Sequence, residues 1–312
     1  RVYAATPLTI LRSDDAGRSW RIVAGRGEEG WMPSGHRPSR PILLHASTEE
    51  SARILAITRD SGIFVSTDRG VTWQLVRQRP SGASFADIAH VPGDGTTLLA
   101  CGESGIWRYR SGSWNPMSVP RLPDVYSFSH IAVDPGDPQR ILVAPVPFRG
   151  FLHSSNAGKT WNRPGGRAIS SLEFDGPIEI TDVAFASAAP KQAYAATANV
   201  GCKTKHEPQH RHGRVLVSRD GGRRWSATTR PSSTEMAILD LAVPANRPST
   251  VYAAGSTGLF RTDDAGTTWR KLLSVERAEC KQDEACVREP VYRSVAVAPY
   301  DPQHIIVART GK

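Results

Sequence analysis

Asp87, His130, Asp182, Asp240 and Ser294 occupy one recurrent place in the chain. Each stands two positions before the alanine of a short apolar segment: FADIAHVP (85–92), FSHIAVDP (128–135), ITDVAFAS (180–187), ILDLAVPA (238–245) and YRSVAVAP (292–299). If these segments line a common channel, three carboxylates and a histidine gather at its mouth. Carboxylates facing one another across roughly 5–10 Å are what glycoside hydrolysis requires, one as acid and one as nucleophile or base. Polar residues in such places equally serve to hydrogen-bond buried water or neighbouring backbone. Asp60 (RDSG) and Glu103 (GESG) form a further acidic pair, in equivalent loops of adjacent repeats.

Basic, aromatic and sulfur-bearing residues cluster in four long insertions, 25–41, 162–177, 198–213 and 274–290. The first carries Trp31, His36, Arg37 and Arg40; the second carries Arg167, and Arg149 lies in a further turn. Trp31 on a loop suits either stacking on a partner or capping the body of the protein. The third insertion holds Cys202, His206, His210, Arg211 and His212. Such residues can bind zinc or copper, although no standard ligand spacing is present and a solvated loop is the alternative. Cys280 and Cys286 flank a short polar stretch that reads as a loop closed by a disulfide, which places the protein outside the cytoplasm; two free thiols are the alternative. No cofactor is expected.

The elements that must position these residues follow from a repeat. SDDAGRSW (13–20), STDRGVTW (66–73), SSNAGKTW (154–161), SRDGGRRW (218–225) and TDDAGTTW (262–269) share the pattern [S/T]-x-[D/N]-x-G-x-x-W, and RYRSGSW ending at Trp114 is a shortened copy. Their tryptophans recur at roughly the 40–50-residue length of a four-stranded propeller blade. Between boxes the segments alternate apolar and polar residues and are bounded by Gly, Pro and Asp, the signature of strands. The box sits where a third strand reverses into a fourth. There Asp15, Asp68, Asn156, Asp220 and Asp264 can accept backbone N–H groups, Gly17, Gly70, Gly158, Gly222 and Gly266 supply positive φ, and Trp20, Trp73, Trp161, Trp225 and Trp269 cover the hairpin. The expected fold is all-β: one propeller over residues 1–312, with blades at about 1–24, 41–79, 85–118, 128–165, 180–230, 238–275 and a partial 292–312. Seven blades are preferred over six. First-to-second-strand loops and the boxes fall on one face, and every long insertion falls on the other, where binding is expected.

The 312 residues, 39% hydrophobic and 22% charged, are ordinary for a soluble globular protein. The formal charge of +9 favours anionic partners, such as acidic polysaccharide or an acidic protein face. No apolar run approaches the ~18 residues of a membrane span. A start at Arg1 suggests that a leader has been removed. Nucleotide-binding glycine loops, a Gly-x-Ser-x-Gly elbow and a His-Glu-x-x-His motif are all missing, and nothing beyond net charge suggests nucleic acid.

The boxes at blade spacing resemble those of the Asp-box (bacterial neuraminidase repeat) β-propellers, over nearly the whole chain. That superfamily includes sialidases, xyloglucan-cleaving glycoside hydrolases, the sortilin ectodomain and the photosystem II stability/assembly factor. The resemblance implies the fold and leaves function open, because the box carries no catalytic residue in these families. A sialidase should show an early Arg-Ile-Pro motif, whereas this chain has Arg40-Pro41-Ile42. Xyloglucan-cleaving relatives use two propellers. The expectation is therefore a non-catalytic, exported binding or assembly scaffold whose partner is a protein or an anionic polysaccharide. The alternative is a glycoside hydrolase using Asp87, Asp182, Asp240, Asp60 or Glu103.

Overall fold

The computed structural model describes the chain except residues 1, 7, 26–30, 34–40, 47–53, 59–60, 79, 94–96, 121–124, 147–149, 164–177, 190, 200–212, 233–236, 276–290, 299–300 and 311–312. Among the described residues every regular element is a β-strand. In chain order these are β1 (Val2–Ala5), β2 (Ile10–Ser13), β3 (Arg21–Ala24), β4 (Pro41–Ala46), β5 (Ile54–Thr58), β6 (Gly62–Ser66), β7 (Gln74–Gln78), β8 (Phe85–His90), β9 (Leu98–Gly102), β10 (Gly105–Arg110), β11 (Ser113–Pro116), β12 (Ser127–Asp134), β13 (Asp137–Val146), β14 (Leu152–Ser154), β15 (Ile178–Phe185), β16 (Ala193–Asn199), β17 (Val215–Ser218), β18 (Ser226–Ala227), β19 (Ile238–Ala242), β20 (Val251–Gly255), β21 (Gly258–Thr262), β22 (Arg270–Ser274), β23 (Val291–Ala298) and β24 (Asp301–Thr310). Each pairs antiparallel with its sequence neighbour. The resulting sheets are β1–β3, β4–β7, β8–β11, β12–β14, β15–β18, β19–β22 and β23–β24.

The chain divides into two compact units, residues 1–90 with 96–117, and residues 91–95 with 118–312. In each, the core lies between the faces of successive sheets. Ile10, Ile54, Phe64 and Trp73 pack together in the first unit. In the second, Leu142, Phe151, Leu216 and Trp225 form one cluster, and Tyr194, Val217, Val251 and Phe260 form another. Second strands are covered on both faces, so β9 (LLACG) and β20 (VYAAG) are buried at every position. Their sequences accordingly read as continuous runs of small and apolar residues rather than as alternation.

Every first strand carries a bulge at the same place. Register shifts fall between Pro41 and Leu43, Phe85 and Asp87, Phe128 and His130, Ile180 and Asp182, Ile238 and Asp240, and Tyr292 and Ser294. A bulge inserts one unpaired residue and re-aims the side chain after it. In β8, β12, β15, β19 and β23 that residue is the recurrent polar position.

The structure departs from uniform four-stranded blades. The β1–β3 sheet lacks a first strand, and β23–β24 has only a first and a second. In β12–β14 the fourth strand shrinks to a single bridge, His153 to Asn162. The shortened copy before Trp114 is no box. Ser111 (φ 50°) and Gly112 (φ 79°) make a two-residue hairpin loop between β10 and β11, as both positive φ values require of a type I′ turn.

Candidate functional site

The box is a closed hydrogen-bonding unit. Its first hydroxyl accepts from the glycine N–H: Ser13 from Gly17 at 2.6 Å, Ser66, Ser154 and Ser218 from their glycines at 2.8 Å, and Thr262 from Gly266 at 2.9 Å. The same hydroxyl donates to Oδ1 of the box Asp, which also accepts the backbone N–H of box position seven, as in Asp264 with Thr268 at 2.8 Å. At that position Ser19, Thr72 and Thr268 donate their hydroxyls to Oδ2 at 2.5–2.6 Å. These bonds stabilise the ionised form, so Asp15 is held well below the ordinary aspartate value and Asp264 at about 2. The residue before the glycine is left-handed in every box: Ala16, Arg69, Ala157, Gly221 and Ala265 have φ between 56° and 78°.

Each box also meets the chain around it. Ala157 N–H donates to Gln139, Gly221 N–H to Lys191 and Ala265 N–H to Ser249. Lys191 and Ser249 belong to the first-to-second-strand connections of their sheets, and Gln139 to the start of the second strand, β13. Boxes and short connections therefore share one end of these sheets. Strand alternation places the ends of β16 and β22 and the starts of β17 and β23 at the other end.

The recurrent carboxylates act between neighbouring sheets. Asp182 Oδ1 accepts from its own next residue, Val183 N–H, at 2.7 Å, and Oδ2 accepts from Leu241 N–H at 2.8 Å on β19. Asp240 repeats this one sheet on, with Leu241 N–H at 3.0 Å on Oδ1 and Val295 N–H of β23 at 2.7 Å on Oδ2. Thr181, the bulged residue, adds a hydroxyl bond to the Ile238 carbonyl at 2.6 Å. Burial pushes the Asp182 carboxyl well up, and the Asp240 charge adds to the effect while His130 opposes it. Asp240 is also pushed up by burial, against hydrogen bonds from Val295 N–H and Ser294. Leu241 N–H bridges the two carboxyls, donating to Oδ2 of Asp182 and to Oδ1 of Asp240. In the first unit Asp87 makes the same local bond, accepting from Ile88 N–H at 2.8 Å.

Other candidates divide between those the structure describes and those it does not. Glu103 is exposed in the turn between β9 and β10. Trp31 is 4% exposed and packs edge-on to Phe64 and Trp73, with ring centroids 5.6 and 5.0 Å apart. Its expected role on a binding face is thereby corrected: the indole is a core residue, because the larger gain is burial against two aromatic rings. Asp60, His36, Arg37, Arg40, Arg149, Arg167, Cys202, His206, His210, Arg211, His212, Cys280 and Cys286 lie outside the described residues. Cys101 is buried and unpaired, and burial raises its thiol pKa. Among the described residues no group of three or more His, Cys, Asp or Glu could hold a metal ion, and no helix is long and apolar enough to cross a membrane.

Two tyrosine contacts were not anticipated. Tyr194 donates to the Pro248 carbonyl at 2.8 Å, in the first connection of the next sheet, and Tyr252 to that of Pro302, at the start of β24. The recurring V/A-Y-A-A of the second strands was the available signal, at Tyr3, Tyr194 and Tyr252.

Residues 64–75 match the BNR/Asp-box repeat family model. No curated protein matches the chain. Among solved structures, an ancestral GH74 enzyme is similar at 17% identity over 96% of this chain, with a TM-score of 0.63. YCF48 bound to D1 peptide is similar at 17% identity over 79% of this chain and 69% of its own, with a TM-score of 0.54. The extracellular domain of a two component system protein from B. thetaiotaomicron is similar at 13% identity over 98% of this chain, with a TM-score of 0.62. This chain spans 40% of the GH74 enzyme and 35% of the B. thetaiotaomicron chain. At such identities the likeness is one of fold, shared by an enzyme and by a peptide-bound protein: the chain is similar to β-propellers, and it carries Asp-box repeats.

Proposed function

We propose that the chain is a non-catalytic, exported, seven-bladed β-propeller that binds a protein partner through the end bearing its long insertions. The observation that carries this reading is the commitment of the recurrent carboxylates. All four oxygens of Asp182 and Asp240 accept backbone N–H groups, and Leu241 N–H bridges the two carboxyls. Glycoside hydrolysis needs carboxyls roughly 5 Å or more apart, with a sugar between them. Carboxylates that staple successive first strands do not offer that space. The peptide bound by YCF48, on a similar fold, supports a protein as the partner class. The insertion end is favoured because binding residues commonly sit on long loops carried by a rigid scaffold.

The glycoside hydrolase reading keeps one observation in its favour, the raised pKa of Asp182, which is the property of a general acid. Release of reducing sugar from xyloglucan and of fluorophore from sialoside and glucoside substrates separates the two. No turnover is expected from the wild-type chain. Turnover that disappears in Asp182→Asn with the fold intact would overturn the scaffold reading. Reversal of Arg37, Arg40 and Arg211 to Glu is expected to weaken partner binding without moving the melting temperature.

A further inference from the structure

One box breaks the repeat's own rule. In SRDGGRRW, position seven is Arg224, where the other boxes have Ser19, Thr72, Thr160 and Thr268. Asp220 still accepts from Ser218 at 3.0 Å and from Arg224 N–H at 2.8 Å through Oδ1. The hydroxyl that elsewhere bonds Oδ2 has been given up for a guanidinium. Positions two and six of the same box are also arginines, Arg219 and Arg223, and all three are exposed. A local rule broken without a structural gain marks a place under another demand.

The neighbours extend the charge. Gly221 N–H bonds the Lys191 carbonyl, and its Cα region lies against Arg140 and Lys191: a Cβ there would be 3.1 Å from Arg140 Cδ and 3.8 Å from Lys191 Cβ. The preceding box joins through Ala157 N–H to Gln139, beside Arg140. It carries exposed Lys159, and its central Asp is replaced by neutral Asn156. On the other side Tyr194, which feels the Arg219 charge, bonds Pro248 beside exposed Arg247. Cations thus run along the box end of β12–β14 and β15–β18 and reach Arg247 in the first connection of the next sheet. The acids among them are engaged: Asp134 and Asp137 with Arg140 at 3.1 and 2.8 Å, and Asp220 within its turn. The boxes 13–20 and 262–269, by contrast, place Asp14 and Asp263 at position two.

We propose that this stripe, centred on Arg219, Arg223 and Arg224, binds an acidic polysaccharide of the polyuronate type. Guanidinium groups pair with carboxylates in a bidentate manner, and a row of cations spread along turn tips fits a polymer of evenly repeated charge. The box tryptophans Trp161 and Trp225 are buried beneath the stripe, and among the described residues no exposed large apolar side chain lies on it. It therefore lacks the aromatic platforms on which single-stranded nucleic acid stacks and the apolar anchors of a peptide hot spot. This surface is separate from the insertion end, so the two readings stand or fall independently.

The test is binding of the full chain to immobilised polygalacturonate, with polyglutamate and duplex DNA in parallel. Retention at 50 mM NaCl and a loss of about tenfold at 200 mM are expected from counterion release. Arg224→Thr restores the missing hydroxyl, so it is expected to keep or raise the melting temperature while weakening binding about threefold or more. Arg219→Glu, Arg223→Glu and Arg224→Glu together are expected to abolish binding. No binding by the wild type at 50 mM, undiminished binding by Arg224→Thr, or tighter binding to polyglutamate or DNA than to polygalacturonate each overturns the proposal.

Discussion

At the scale of single residues, Asp182 illustrates how a group suited to chemistry can be used for assembly. Replacing it by Asn keeps one acceptor oxygen for two backbone donors, Val183 N–H and Leu241 N–H, and turns an amide N–H toward the other. Asp182→Asn is expected to cost about 1–3 kcal/mol in urea unfolding. The pH dependence has a definite sign. The folded-state pKa of Asp182 is raised, so the folded protein holds a proton that the unfolded chain releases near pH 4. Its contribution is complete below that pH and is lost as pH rises through the folded value. The stability gap between wild type and Asp182→Asn should therefore narrow from pH 4 to pH 7. A gap that widened would contradict the raised pKa of Asp182. The box aspartates run the other way: Asp264, lowered to about 2, supports the fold above pH 4 and withdraws support below it.

His153 gives a second residue-scale prediction. It is 3% exposed, its Nε2 has no hydrogen-bond partner, and burial together with Arg223 and Arg140 depresses its pKa, with Asp220 opposing. Val65 and Val217 stand at the same position before their boxes. His153→Val is expected to be neutral or stabilising by about 1 kcal/mol, since it removes a buried unpaired polar atom. A folded-state pKa below the unfolded one makes wild-type stability fall as pH drops below about 6.5. The variant should lose that part of the acid sensitivity, read from melting curves between pH 7 and pH 5.

At the scale of elements, the box is held between its own hairpin and the sheet before it. A Cβ on Gly266 would lie 2.3 Å from Thr228 Cγ2 and 2.5 Å from its Cβ, on the preceding sheet. A Cβ on Gly70 would meet nothing closer than Val23 Cγ2 at 3.4 Å. Both glycines have φ +87°, so the left-handed strain of about 1–2 kcal/mol is common to the two. Gly70→Ala should cost only that, and Gly266→Ala about 1–3 kcal/mol more from overpacking against a stiff β-branched side chain. Equal losses in denaturant titrations would show that the inter-sheet contact is unimportant.

At the scale of the whole molecule, adjacent sheets are laced at several depths. First strands are stapled by Asp182 and Asp240, second strands reach across through Tyr194 and Tyr252, and box turns press on the preceding sheet. Tyr252 also accepts Arg261 Nη1 at 2.9 Å. Tyr252→Phe should therefore leave two buried partners short of a hydrogen bond. Because the chain forms two compact units, faster amide exchange is expected in β19–β24, with β5–β10 unchanged. Equal acceleration throughout would mean that the chain opens as one body.

How much of this the residues announced depends on the range of the forces involved. The boxes were legible because their hydrogen bonds close within eight residues, so Ser, Asp, Gly and Trp must recur at fixed spacing wherever the turn forms. The strands were legible from alternation, and the polar position of each first strand from its place before the alanine. The sequence by itself thus determined an all-β chain of Asp-box hairpins and singled out Asp182 and Asp240. It could not tell what those carboxylates face, since Leu241 and Val295 offer backbone N–H groups, which every residue but proline carries. It could not show that Trp31 leaves its loop for a pocket of Phe64 and Trp73. Those outcomes were decided by contacts between sheets far apart in the chain, where burial and backbone donors, not local spacing, select the partner.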